Sequence, residues 1–386
     1  MTSFRLLLLF LIRGSIYGSV GPFAAVLLIR AGLSPALIGP LAAIAAIVTL
    51  VAAPTWGRLG DRNGRRRLLV AALLVGAPAA LGHASGHLLV VVVGYLVWAV
   101  ASAAFAPLAD SLALARLGGS RTRYARVRMG ASVGYIASAL VGGAAISFSV
   151  LGWAAPGLFG LVLCLVAAGA VAVRLGDELR RGTGLAEPDG ASLFRGVLAG
   201  IGRYRSFLLG LALVYAGANA PSIFTGPRIA EIGGSGWEIG LAIAAGTLVE
   251  VPAFLVLPWM LRLFGGRRLF LTAGFLLGVS GVMSAVAPTP ALLIAARLLF
   301  GAGFAWAALP SLAAVLAAAP QEGQASAAAL HFATGAAGTL LVALAGLPLV
   351  GLTGSVSGVL AVAALATPFG AIVSLRAWPA PLARAS

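Results

Sequence analysis

Apolar runs of roughly 18 to 25 residues recur from one end of the chain to the other, and this feature constrains the fold more than any other. About 20 such residues cross a bilayer core as an α-helix. Reading the runs between turn signals gives twelve candidate spans, at roughly 4–29, 35–57, 68–84, 88–115, 128–149, 154–173, 206–229, 237–261, 269–287, 290–318, 324–349 and 355–375. Charged residues make up 9% of the 386 positions, against about 25% in a soluble domain, so water is not the main solvent. The expected class is an all-α membrane protein.

The net charge of +16 would suit nucleic acid in a soluble protein, but its placement argues for a membrane surface. All 26 cations are arginine. With the N-terminus inside, four inner loops carry 18 arginines while the outer loops hold Arg30 and Arg228. The positive-inside rule then places both termini in the cytoplasm. The reading is a multi-pass monomer of the inner (cytoplasmic) membrane, with the lipid bilayer and no nucleic acid as partners. Arg13 interrupts the apolar core of "MTSFRLLLLFLIRGSIYG", which is read as an uncleaved first helix. The single Cys164 excludes an internal disulfide and any multi-cysteine metal site.

The longest polar stretch, 174–205, divides the spans six and six. It separates an N-terminal bundle over 1–173 from a C-terminal bundle over 206–386, and reads as a cytoplasmic linker with a surface helix near 192–204. The halves repeat. "RAGLSPALIG" at 30–39 matches "EIGGSGWEIG" at 231–240, an offset of 201 residues that also lays Gly64, Arg66, Arg67 and Leu68 over Gly265, Arg267, Arg268 and Leu269. Ser34 and Ser235 are each placed to cap the helix that follows. Parallel halves related about the membrane normal place a solute site between them near mid-depth.

The loop "GRLGDRNGRRRLL" at 57–69 has glycines suited to close contact and a tight turn, and an acid able to pair with arginines or a helix terminus. It resembles the signature of the major facilitator superfamily, with every motif position matched at Gly57, Asp61, Arg62, Gly64, Arg65 and Arg66. The resemblance implies twelve transmembrane helices in two pseudo-symmetric six-helix bundles, and a gating role for this loop. In the second copy Arg262 stands where Asp61 does in the first.

An acid at the bilayer centre costs roughly 2.5–3.5 kcal/mol, so Asp110 should face the bundle interior beside a cation. Asp110 and Arg128 are each nine positions from the middle of the connection between spans four and five, which puts them at similar depth and makes Arg128 the expected partner. "APLAD" with "YARVRMGASVGYIASALVG" is similar to the helix four–five region of lactose permease and its relatives. There, an acid and an arginine at this spacing bind sugar hydroxyls. The resemblance implies substrate binding by Asp110 and Arg128, with Tyr135 where the permease stacks a Trp on the sugar.

"GTLVEVPAF" at 246–254 resembles the eighth span of phenylpropionate-transporter and nucleoside-symporter relatives and offers Glu250 as a proton carrier. The permease's coupling groups are replaced by Ala305, Ala308 and Gly338, so coupling falls to Asp110, Glu250 or His331. Arg13 and Asn219 are further candidates for substrate binding. Tyr17, Tyr215 and Trp306 either line the cavity or pack, and Arg297 either faces the cavity or serves only to snorkel outward or tie helices together. Arg13, Arg128 and Arg297 against Asp110 and Glu250 leave an intramembrane balance of +1, which admits an anionic solute.

No phosphate loop, zinc spacing or nucleophile constellation occurs, so no enzyme, cofactor or metal is expected. The expectation is a secondary transporter of a small organic solute (sugar, nucleoside or aromatic/organic acid), coupled to protons. Proton-driven efflux and a non-transporting receptor on the same fold are the alternatives.

Overall fold

The computed structural model describes residues 2–117, 121–174, 190–318 and 324–379; within these, several side chains, including those of Asp61 and of residues 173–203, lie outside the described set. No strand occurs among the described residues. The helices are α1 (Thr2–Val20), α2 (Ala24–Arg30), α3 (Ile38–Asn63), α4 (Arg65–Gly82), α5 (Leu88–Arg116), α6 (Arg121–Ser147), α7 (Ala155–Arg174), α8 (Gly190–Glu231), α9 (Gly236–Val286), α10 (Pro290–Ala317), α11 (Gln324–Thr353) and α12 (Ser357–Arg376).

Among the described residues ten helices are long and apolar enough to cross a membrane, which is consistent with the expected twelve spans. α1 and α2 together form one span, interrupted by a short turn. α9 is 51 residues long and breaks at Gly265 (φ 73°), giving two spans in place of one. α8 breaks at Tyr204, so its first part is a helix over the end of the linker and its remainder is a span. The rest of the polar linker, 175–189, lies outside the described residues. α4 carries Arg65, Arg66 and Arg67 at its start, followed by an apolar remainder.

The internal repeat appears in the backbone. Gly64 (φ 93°) closes the turn between α3 and α4, and Gly265 makes the corresponding turn 201 residues later. Positive φ there favours glycine, which has no Cβ to clash. Gly32 and Gly233 repeat the device just after α2 and α8. Ser235 forms a capping box with Glu238, whose carboxylate accepts from the Ser235 amide at 2.7 Å and from its hydroxyl at 3.0 Å. Ser34 makes no such cap at the single 3₁₀ turn, Pro35–Leu37, that follows it.

The chain contacts divide into two units, residues 1–184 with 229–244, and residues 185–228 with 245–386. In the first, α1 lies along α6 over most of its length, and α4 packs on α5 and α7. Leu69, Leu73, Trp98, Phe105, Leu108 and Cys164 fill its core. In the second, Phe207, Leu211, Phe270, Leu277, Phe300 and Val315 do the same.

Candidate functional site

α1 approaches α6 closely because small residues face each other along the seam. A Cβ on Gly14 would run into the Ala131 carbonyl, and one on Gly134 into that of Leu11. Ser15 donates to the Gly134 carbonyl at 3.2 Å. α5 and α6, although joined by a short connection, barely touch. The Tyr17 hydroxyl secures α1 to α5 by donating to the Ser102 carbonyl at 2.6 Å.

That packing decides the partner of Asp110. Its carboxylate pairs with the Arg13 guanidinium at 2.6 Å, and the side chains are 25% and 11% exposed. The expected Asp110–Arg128 pair is therefore corrected to Arg13–Asp110, because equal depth on α5 and α6 does not bring the two helices into contact. Arg13 also lies over the Phe10 ring, 4.4 Å from its centre. Behind it is a small, largely apolar pocket lined by Leu9, Ile16, Leu73, Phe105 and Ala167.

Tyr124, which the sequence reading passed over, lies within electrostatic reach of Asp110. It stands just before the apolar span that begins at Arg126. Burial raises its phenol pKa first and the Asp110 charge raises it further, while Arg128 nearby acts in the opposite sense. The available signal was its i, i+4 spacing from Arg128. Arg128 itself is exposed and Tyr135 half-buried.

Arg128, Tyr135, Ala139 and Gly143 follow one face of α6 at helical spacing. Farther along that face, a Cβ on Gly240 would strike the Ala139 carbonyl, and one on Gly143 would strike that of Gly236. The Trp237 amide donates to the Ser147 hydroxyl at 2.8 Å. All these residues belong to the first unit. The face carrying Arg128 is covered by protein at its far end.

In the second unit α8 meets α11 through polar side chains. The Nε2 of buried His331 lies 2.9 Å from the Ser311 hydroxyl and 3.3 Å from that of Tyr215. Ser311 donates to the Ala307 carbonyl at 2.7 Å, so its oxygen is free to accept from Nε2–H. Asn219 donates to the Gly335 carbonyl and the Thr339 hydroxyl, each at 3.0 Å. Ser311, on α10, is a second residue the sequence reading passed over.

Glu250 is half-buried on α9. Arg297 on α10 acts electrostatically on it, lies across Gly246 one turn earlier, and stacks on Phe300 at 3.7 Å. Only 5% of Arg297 is exposed, so it ties helices together and does not snorkel. Gly338, at one of the replaced coupling positions, packs against Tyr215 with no room for a side chain. Trp306 is partly buried against the core of this unit.

Within the signature loop, Arg66 donates at 3.2 Å to the Val171 carbonyl and also to that of Ala172, securing the start of α4 to the end of α7. Arg267, its repeat counterpart, donates at 2.8 Å to the Leu375 carbonyl near the end of α12. Arg62 is exposed and Arg65 half-buried. Gly64 makes the expected turn, but Gly57 faces open space and not a close helix contact. The Asp61 side chain, on which the gating expectation partly rests, lies outside the described residues.

The family model described as MFS_1 like family matches residues 3–347. A maltose permease of Geobacillus stearothermophilus is 29% identical over 327 residues, covering 83% of this chain and 80% of that protein. Among solved structures, the nucleoside transporter NupG superposes with a TM-score of 0.81 at 15% identity, over 97% of this chain and 98% of that one. The POT family transporter PepTSo gives 0.74 at 13%, over 97% of each. At these identities the structural likenesses establish the fold alone.

Proposed function

The chain belongs to the MFS_1 like family and is a membrane transporter, not an enzyme; from that premise we propose that it is a proton-coupled secondary transporter of a small organic solute, working by alternating access. The observation that carries this reading is the placement of ionisable groups at membrane depth. Arg13 and Asp110 pair within one unit, and Glu250 lies beside Arg297 within the other. Charges at that depth are expensive and in most cases functional.

In this reading Asp110, Arg128, Tyr135 and Arg13 of the first unit, and Asn219 of the second, are each candidates for solute binding. Glu250 takes and releases the proton, because it is a half-buried carboxylate on α9 with Arg297 beside it. His331 and Asp110 serve as secondary proton stations. The loop from Gly57 to Arg66 sets the rate at which the site changes its exposure. The protein lies in the cytoplasmic membrane with both termini inside, as its arginine distribution favours.

Proteoliposomes loaded with a pH-sensitive dye test the coupling. Adding a transported sugar, nucleoside or organic acid should move protons in the same direction as the solute. Solute flux with no proton movement would contradict coupling, and proton movement against the solute would mark the protein as an exporter.

A further inference from the structure

The turn that repeats the signature loop reverses its charge. Arg262 stands where Asp61 does in the first copy, and Gly265 turns the chain back as Gly64 does. Arg267 donates at 2.8 Å to the Leu375 carbonyl, which brings the turn of α9 beside Arg376 in the last turn of α12. Trp378 lies against both Phe207 and Phe270 and fixes that end of α12 in place. Arg262, Arg267, Arg268 and Arg376 thus belong to one end of the second unit. Past Glu250 the sequence holds a single acid, Glu322, so little negative charge is available to balance them. Arg262, Arg268 and Arg376 are exposed, and none of the three side chains has an ion pair or hydrogen bond among the described residues. The helix leading to this turn is apolar on its outside: Leu248, Leu255, Trp259 and Leu263 follow one stripe and are 54–64% exposed. In a membrane-spanning chain such a stripe meets acyl chains, and it ends at a Trp, a residue that favours the headgroup level. Arg262 follows Trp259 within one turn.

We propose that this end of the second unit binds an anionic phospholipid, with Arg262, Arg268 and Arg376 donating to its phosphate and Trp259 and Leu263 against its acyl chains. Charge complementarity selects the occupant. Guanidinium forks match phosphate oxygens, and three unbalanced cations favour a lipid of net negative charge over a zwitterionic one, whose ammonium they repel. The apolar stripe beside them favours the lipid over a soluble phosphate, because only the lipid also covers that stripe.

Native mass spectrometry of the full-length protein tests this, in detergent micelles holding equal amounts of phosphatidylglycerol and phosphatidylethanolamine, with glycerol 3-phosphate as the soluble headgroup. The protein should retain phosphatidylglycerol at least about fivefold over phosphatidylethanolamine. Arg268→Gln should lower that retention about fivefold, and Arg262→Asp, which restores the acid of the first copy, should lower it further. Arg268→Lys keeps the charge without the fork and should lose less than Arg268→Gln. Arg58→Gln, at an exposed arginine of α3 in the first unit, should leave retention unchanged. Circular dichroism establishes that each variant is folded; if Arg262→Asp is not, the two Arg268 variants decide. Five results would each overturn the inference: equal retention of the two lipids, glycerol 3-phosphate bound as tightly as phosphatidylglycerol, undiminished retention in the folded Arg262 and Arg268 variants, or an equal loss in Arg58→Gln, which would mark a diffuse surface attraction. The fifth is a lipid-free dimer abolished by Arg262→Asp or Arg268→Gln, which would give this face to a second copy of the chain.

Discussion

The repeat builds the same helix pairing twice and fills it with different chemistry. α1 meets α6 backbone to backbone, through Gly14, Gly18, Gly130 and Gly134. At the positions 201 residues beyond Gly14 and Gly18, α8 carries Tyr215 and Asn219, which reach across to His331, Gly335 and Thr339 on α11. Beyond Arg13 the same offset falls on Val214, which is buried in the core of the second unit. The first seam is tight and holds a charge pair; the second is bridged by neutral hydrogen bonds. A repeated backbone therefore does not repeat the chemistry along its seam.

Breaking the charge pair should have the largest effect on this contrast. Arg13→Met leaves Asp110 without its cation and should cost ~3 kcal/mol in detergent unfolding, at the low end for a broken buried pair because Asp110 keeps some exposure. Arg13→Met with Asp110→Leu should recover most of that loss. A double variant no more stable than the single one would mean that the pair is not coupled as described.

Gly14→Val forces a side chain against the Ala131 carbonyl and should cost about 1–3 kcal/mol by overpacking. In the other seam, Tyr215→Phe removes one hydroxyl and should cost about 1 kcal/mol. If the glycine substitution proved the milder of the two, the tight and bridged descriptions would be exchanged.

The smallest effects should come from Arg66→Gln and Arg267→Gln, each about 1 kcal/mol, since both remove bonds to carbonyls near a helix end. Near-equal losses would support the repeat as a structural symmetry. A marked difference between them would break it at this point.

The spans, the repeat offset and the signature loop were legible in the sequence because each depends on local pattern: apolar run length, a glycine at a turn, arginine between runs. The partner of Asp110 was not. The hairpin argument sets depth along a helix but cannot say which helix lies alongside, and α1 takes that place through glycines whose role emerges only when α6 is beside them. Arg297 was left between two readings for the same reason, since position in a span does not state which way a residue faces. Its contact with Phe300 and its place across Gly246 settle that.

Glu250→Gln tests the division of labour most directly, by comparing solute counterflow with uptake driven by a pH gradient in the same proteoliposomes. The account predicts that counterflow persists while gradient-driven accumulation is lost. Accumulation at the wild-type level would contradict it.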